Sequence, residues 1–346
     1  MTMPRRNALR IAALALLGAA GTTPAGAQGR RILEDSPEPT APGLWPAGRL
    51  PELSRAVHGL TVGGHTPHGA LSVFWLHGIA APPLRVATLD EARASGTLAI
   101  AERDRATVPE VTVDNRGKAH VLLLAGEILV GGKQNRVLRE DILLPPISGP
   151  RALGVYCVEQ GRWNEGRRDF ESKSSFAQPG LRRQVYDKAD QNRVWSEVTR
   201  SAAAAAAPSS TSSYQEVYEQ PAVRRHLDEV ERRLDAPGAA GALGAAVFAG
   251  SALSGIDLFR DPDLFAREWR KLLRAHAVDV YGRPAILPMP EDKLRGELAR
   301  LLGAAASVTG AIRGTPGVGR LFEFRLGQYR GAALAHDGGL VHAAIL

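Results

Sequence analysis

The chain has 346 residues, 44% of them hydrophobic, with a formal net charge of +7 and a single cysteine, Cys157. That length is enough for a large core or two domains, and one cysteine excludes an intramolecular disulfide framework. The basic excess is partly local: Arg5, Arg6 and Arg10 lie in a stretch of 27 residues without Asp or Glu, so the remaining 346 − 27 = 319 residues carry +7 − 3 = +4. A charge so small, without a dense Lys/Arg stripe, argues against nucleic acid as a partner.

The first residues, MTMPRRNALRIAALALLGAAGTTPAGA, place bases ahead of an apolar run from Ile11 to Ala20 and end in the small-residue site Ala25-Gly26-Ala27. That order predicts a secretory signal peptide over residues 1–27, and the apolar run is too short to span a bilayer. Adjacent Arg5 and Arg6 point to the twin-arginine route, with an ordinary secretory leader as the alternative. Cleavage after Ala27 leaves no stable membrane anchor and sends the protein to the periplasm or outside the cell. Residues 28–50, rich in Pro, Gly and charge, read as an extended lead-in.

From 51 to 165 the pattern is β-rich, with ALSVFWLHG, VPEVTV, AHVLLL, VLREDILLPP and RALGVYCVEQ as strand candidates between turn residues. A short helix interrupts at TLDEARASG, with Thr88 as N-cap and Gly96 as stop. VLLLAGEILVGG at 121–132 and AAVFAGSALSGI at 245–256 both read as hairpins turning at Ala-Gly. Residues 166–240 read as helical. DKADQNRVWSEVTRSAAAAAA runs into a low-complexity joint at 201–213, and PAVRRHLDEVERRLDAPG sets Val223, Leu227, Val230 and Leu234 on one face. These two helices are expected to pack as a hairpin against the sheet. Residues 241–346 form an α+β part. Asp261 caps a helix whose first position is Pro262 and whose stripe is Leu264, Phe265, Trp269, Leu272 and Leu273. Strands follow, turning at Asp337-Gly338-Gly339. The predicted fold is α+β: a β-rich N-terminal half with hairpins, packed against helices and a C-terminal strand-helix-strand part.

The stretch AGEILVGGKQNR, Ala125 to Arg136, concentrates the polar chemistry. A turn at Gly131-Gly132 gives ribbon faces of mixed polarity, whereas a turn at Ala125-Gly126 pairs Leu123 with Ile128 and Val121 with Val130 on one apolar face. The second reading makes GGKQNR a separate irregular loop. Gly131 and Gly132 then let backbone N–H groups face one concavity, with Lys133, Gln134, Asn135 and Arg136 around it, an arrangement suited to phosphate or carboxylate. The competing reading is a solvated turn with an ion pair between Glu127 and Arg136.

In CVEQGRW, Cys157 and Glu159 share one strand face, and the carboxylate opposes a thiolate. Glu159 is therefore the better candidate general base, Arg162 can hold an anion and Trp163 offers a stacking face. The alternative is a strand ending in a surface Arg-Trp contact. His65, His68 and His77 lack helical spacing and an adjoining carboxylate, so no metal site is assigned, and no cofactor is identified.

The succession AGEILVGGKQNRVL, LLPP and CVEQGRW, with GIDLF and LFAREWRKLLRAHAVD further on, resembles the family named for its association with ADP-ribosylglycohydrolases and rhodanese-phosphatases. The resemblance covers residues 90 to 280, and Ala125 stands where that family more usually has an acidic turn residue. It implies a context of ADP-ribose or phosphate chemistry and a shared site for Glu127, Gln134, Asn135, Arg136, Glu159 and Arg162. The resulting expectation is an exported protein that binds a small anionic, ADP-ribose- or nucleotide-like ligand in a polar pocket, with Glu159 and Glu127 as catalytic candidates for its hydrolysis. Gly131 to Arg136, Arg162 and Trp163 are the ligand-binding candidates. The rival is a non-catalytic envelope protein using these residues for interaction or structure. Replacing Arg5 and Arg6 by Lys should block export and leave unprocessed precursor; normal processing of that variant would remove the twin-arginine route.

Overall fold

The computed structural model describes residues 47–103, 109–164, 166–207, 211–234, 240–283 and 289–346. The expected signal peptide, the lead-in up to residue 46 and residues 208–210 of the joint lie outside the described residues.

Among the described residues the strands form three sheets. The largest is antiparallel, in the order β1 (Ala47–Gly48), β15 (Gly310–Gly314), β16 (Arg320–Leu326), β17 (Tyr329–His336), β18 (Gly339–Ile345), β14 (Ala252–Phe259), β13 (Gly244–Ala249), β3 (Leu71–His77) and β2 (Thr61–His68). A three-stranded sheet has the order β10 (Ile142–Leu144), β7 (His120–Leu123) and β4 (Val86–Thr88). The third runs β12 (Phe170–Phe176), β8 (Glu127–Gly131), β9 (Arg136–Leu138), β11 (Gly149–Cys157), β6 (Glu110–Asn115) and β5 (Leu98–Glu102). A bridge from Ala101 to Asp169 and the bond from Glu102 N–H to the Arg168 carbonyl (2.8 Å) bring its two outer strands together. The sheet thus curls around Leu98, Ile100, Val113, Leu129, Leu153 and Phe170.

Eight helices among the described residues cover the sheets: α1 (Pro51–His58), α2 (Leu89–Ala94), α3 (Pro179–Tyr186), α4 (Gln191–Ala204), α5 (Gln215–Glu219), α6 (Pro221–Leu234), α7 (Pro262–Val280) and α8 (Glu291–Ser307). None is long and apolar enough to cross a membrane. Along β3, Phe74 and Leu76 join a core that includes Leu53 of α1 and Leu298 of α8. The alternate residues Val73 and Trp75 join a second core that includes Leu227 of α6 and Trp269 of α7. Helices on both faces bury successive residues, which is why β3 and β13 read as unbroken apolar runs. The local signals perform as expected. Thr88 forms a reciprocal capping box with Glu91, and Gly96 follows at φ +68°. Asp261 caps α7 by accepting the Leu264 N–H at 2.8 Å, with Pro262 in the first turn, and Trp269 meets Trp75 edge-on at 5.1 Å.

Three expectations about pairing are corrected. The chain does turn at Ala125-Gly126, where Glu127 N–H bonds the Leu124 carbonyl and Gly126 takes φ +106°. Yet β7 and β8 are not a hairpin: β7 pairs with β10 and β4, and β8 with β9 and β12. The donors a ladder would need are engaged elsewhere, the Leu124 N–H by the Glu127 carboxylate and the Ala125 N–H by Asp141, each at 2.8 Å. Second, the irregular loop expected between strands is present at residues 132–135, but it closes a β8–β9 hairpin in which Ile128 pairs with Val137 and Leu129 with Arg136. The other Ala-Gly site is a hairpin, with Ala249 opposite Ala252. Third, α6 packs on α7 and α4 on α3, so the two long helices of the middle region do not form a hairpin with each other. The stripe of α6 is matched by the apolar face of α7, which occurs later in the chain.

One buried network ties these layers. Arg182 of α3 donates to both oxygens of Asp257 on β14 (2.9 and 2.6 Å) and to the Ala125 carbonyl (3.2 Å). His342 of β18 lies between Asp141 (2.7 Å) and Asp257 (3.1 Å). Burial alone would lower the imidazole, but the two carboxylates outweigh it and hold His342 at about 9, above the ordinary 6.5. The folded state therefore binds the proton more tightly than the unfolded chain. This contribution is complete below pH 6.5 and is lost as pH rises through about 9. The loss amounts to about 3 kcal/mol. Thermal melts from about pH 6 to about pH 10 should show the wild-type protein losing stability more steeply than His342→Gln, and parallel slopes would contradict this linkage.

Candidate functional site

Strand β8 separates two polar clusters. At its far end the glycine loop closes around a carboxylate, and that carboxylate belongs to the chain. Glu102 Oε1 accepts the Lys133 N–H at 2.9 Å and the Arg136 guanidinium at 3.4 Å. Gly131 and Gly132 take φ +127° and +52°, and a Cβ on Gly132 would lie 2.7 Å from Glu102 Oε1 and 2.2 Å from Phe170. Only glycine allows this approach. Arg136, 1% exposed, points into the curled sheet and also donates to Gln134 Oε1 at 3.3 Å. The alternative pairing with Glu127 does not form; Arg136 pairs with Glu102 and Glu127 with Lys271.

Around that centre Glu159 Oε2 accepts the Asn135 N–H (3.0 Å) and Arg162 Nη2 (2.7 Å), and Oε1 accepts the Thr211 hydroxyl (2.9 Å). Arg162 also donates to the carbonyls of Gly131 and Gly132, and Asn135 Nδ2 donates to Ser213 at 3.0 Å. The joint is therefore bound to the glycine loop where it is described. Lys133 Nζ stands 4.9 Å from the Trp163 ring centre. Cys157 is fully buried, and its single S–H lies between two acceptors, Gln134 Oε1 at 3.2 Å and the Glu159 carbonyl at 3.1 Å from Sγ. Burial pushes its thiol up despite the neighbouring Arg136, so it remains protonated. The structure thus brings together Gly131, Gly132, Lys133, Gln134, Asn135, Arg136, Glu159, Arg162 and Trp163, and leaves Glu127 apart.

Glu127 belongs to the second cluster. The Lys271 ammonium on α7 contacts Glu127 Oε1, Glu268 Oε2 (2.8 Å) and Asp90 Oδ2 (3.5 Å). Burial raises Glu127 to about 8, Glu268 and Asp90 add to the rise, and Lys271 opposes it. Burial would lower Lys271, but three carboxylates reverse the effect and keep it charged. Burial would also raise Asp90, yet Lys271 and the hydroxyls of Ser172 and Ser174 hold it below the ordinary carboxylate range. Ser174 sits at φ +52° in a bulge of β12, a conformation costly for a non-glycine residue, which turns its side chain toward Asp90 at 3.0 Å.

Above Lys271 opens a cavity of about 450 Å³. Six bases line it: Lys173, Arg224, Arg267, Arg270, Lys271 and Arg274. Its carboxylates are Asp90, Glu219 and Asp228. A neighbouring cavity of about 360 Å³ shares Asp90 and Ser174 with it. Sequence reasoning missed Glu102, Lys271 and Glu268. The signal for Glu102 is its inward phase after Leu98 and Ile100 on β5. Glu268 and Lys271 follow Leu264 at spacings of four and three, which sets both on the apolar face of α7. Among the described residues no group of three or more His, Cys, Asp or Glu is arranged to hold a metal ion; His65 stacks on Phe74 at 4.7 Å.

Fold and clusters define an α+β domain in which a large antiparallel sheet, a curled six-stranded sheet and α7 enclose paired buried charges. The chain belongs to the family described as the ARG and Rhodanese-Phosphatase-superfamily-associated protein domain, which matches residues 59–346. The match extends beyond the stretch from 90 to 280 that carries the motifs and takes in nearly all of the large sheet. No curated protein and no solved structure matches the chain.

Glu102→Ala leaves the buried Arg136 charge uncompensated and should cost about 3–5 kcal/mol of unfolding free energy. Cys157→Ser keeps a donor for Gln134 and should cost roughly 1 kcal/mol or less. Urea unfolding measures both, and equal costs would overturn this ranking.

Proposed function

We propose that the protein binds a small anionic ligand, ADP-ribose- or nucleotide-like, in the cavity above Lys271, as an exported protein of the periplasm or the exterior. One observation carries the reading: six bases line a concave surface of suitable volume, five of them also paired with acids of the chain and the sixth, Arg224, not so paired among the described residues. Arg224 supports it further. Its guanidinium donates to the Tyr218 carbonyl at 3.4 Å, and no carboxylate among the described residues lies within ion-pair distance. By contrast, the concavity at the glycine loop already holds Glu102.

Within this reading Arg224 takes the phosphate or carboxylate of the ligand, and Lys173 and Arg270 turn to it from their pairs with Glu219 and Glu231. Asp90, held ionised and bordering both cavities, is the group positioned to accept a proton from an attacking water. Glu127 is fully buried and acts through Lys271 by fixing its position. The rival, a non-catalytic interaction protein, draws on Ile147, which is 69% exposed and held at φ +50°, an unusual state for a β-branched residue.

Thermal shift titrations with ADP-ribose, AMP and inorganic phosphate separate the two, because a ligand that binds the folded state raises the melting temperature. Arg224→Ala should weaken the ADP-ribose response by about 1.5–3 kcal/mol, roughly ten- to a hundredfold in Kd. Asp90→Asn should retain binding and lose turnover. Absence of any response to the three compounds would reject the anionic-ligand reading.

A further inference from the structure

A cavity of about 380 Å³, a volume suited to a small molecule, opens where α3, β16 and β17 meet the Ala125 turn. Strand register explains the hollow. Glu323 of β16 lies between Ala311 of β15 and Ala332 of β17, two small residues that leave space beside it. Val185, Leu321 and Phe324 add apolar wall. Asp141 is fully buried and committed to the Ala125 N–H and His342, so it offers nothing to a ligand.

Charge decides what this cavity takes. Four bases line it, Arg139, Lys188, Arg325 and Arg330, together with four acids, Glu140, Asp141, Asp187 and Glu323. Each of those acids already has a cationic partner: Glu323 pairs with Lys188 at 2.7 Å, Asp187 with Arg330, Glu140 with Arg313 and Asp141 with His342. That leaves Arg139 and Arg325, which form no ion pair among the described residues. The Arg139 guanidinium lies 4.5 Å from the Tyr156 ring centre, a neutral partner that holds it without cancelling its charge. Arg325 stands directly opposite Arg330 in the β16–β17 ladder, and like charges so placed repel. Asp187 neutralises only Arg330. The guanidinium fork matches a carboxylate, and the walls match a hydrocarbon. We infer that this cavity binds a small organic carboxylate, whose anionic end pairs with the unmatched guanidiniums of Arg139 and Arg325 and whose apolar body lies along Val185, Leu321 and Phe324. The inference does not depend on the basic cavity above Lys271.

The test uses benzoate as the probe, in thermal shift and calorimetric titrations of the whole protein, with benzamide as the uncharged isostere and acetate as the charge without the body. Benzoate should raise the melting temperature as its concentration rises, and benzamide should not. Acetate should bind at least about tenfold more weakly than benzoate, because it leaves the apolar walls uncovered. Arg325→Gln removes an exposed, unpaired charge, so the variant should keep wild-type stability and bind benzoate about tenfold more weakly. Arg139→Gln should show a similar loss. Ala311→Leu, at a half-buried position, should fill the hollow and abolish the benzoate response in a folded protein. Arg224→Ala should leave that response unchanged, which separates this site from the one above Lys271. Benzamide or acetate binding as tightly as benzoate, unchanged benzoate affinity in either arginine variant, loss of the response in Arg224→Ala, or no response to benzoate would each overturn the assignment.

Discussion

The contact on which the rest of the structure depends is the buried pairing of Arg182 with Asp257, extended through His342 to Asp141. Each member comes from a different element: α3, β14, β18 and the segment before β10. Two acids and two bases form a neutral set, and the Ala125 backbone closes the circuit with its carbonyl on Arg182 and its N–H on Asp141. Removing such charges from water costs several kcal/mol per ion, and only this mutual pairing offsets it. The circuit therefore has meaning only when the large sheet, the small sheet and α3 are assembled together. It also holds the Ala125-Gly126 turn, which sets the direction of β8.

From that turn β8 runs between the two other charged clusters. Glu127 at its start is committed to Lys271, and Gly131 at its end to the loop around Glu102. Both clusters satisfy buried charges within the chain, but they differ at their edges. The Glu102 cluster is ringed by loop backbone, Glu159 and Arg162. The Lys271 cluster opens through Asp90 into a basic cavity. The same chemical vocabulary of acids, bases and backbone donors serves closure at one end of the strand and access at the other.

The strained positions fall where the chain has to be redirected. Gly132 allows backbone to approach Glu102 and Phe170 more closely than any side chain permits. Ser174 adopts a left-handed conformation in a bulge, and its hydroxyl meets Asp90 at the boundary of two cavities. One lets the interior close and the other shapes a cavity wall.

The sequence by itself determined the elements whose causes are local. The Thr88 capping box, the Asp261-Pro262 start of α7, the turn at Ala125-Gly126 and the strand-rich halves were legible because capping, turn geometry and side-chain period act over a few residues. It also brought Gly131 to Arg136 into one reading with Glu159 and Arg162, which the fold places in contact. Only the tertiary structure decided which partners those residues take. Pairing β7 with β10 and not with β8, and directing Arg136 to Glu102 and Glu127 to Lys271, depends on contacts across 19 to 144 residues whose energy appears only once water is excluded. Glu102, Glu268 and Lys271 look like solvated charges in a linear chain, since nothing near them in sequence announces their burial. A buried charge acquires its partner from the whole fold, and for that physical reason the placement of the cavities was not available from local pattern.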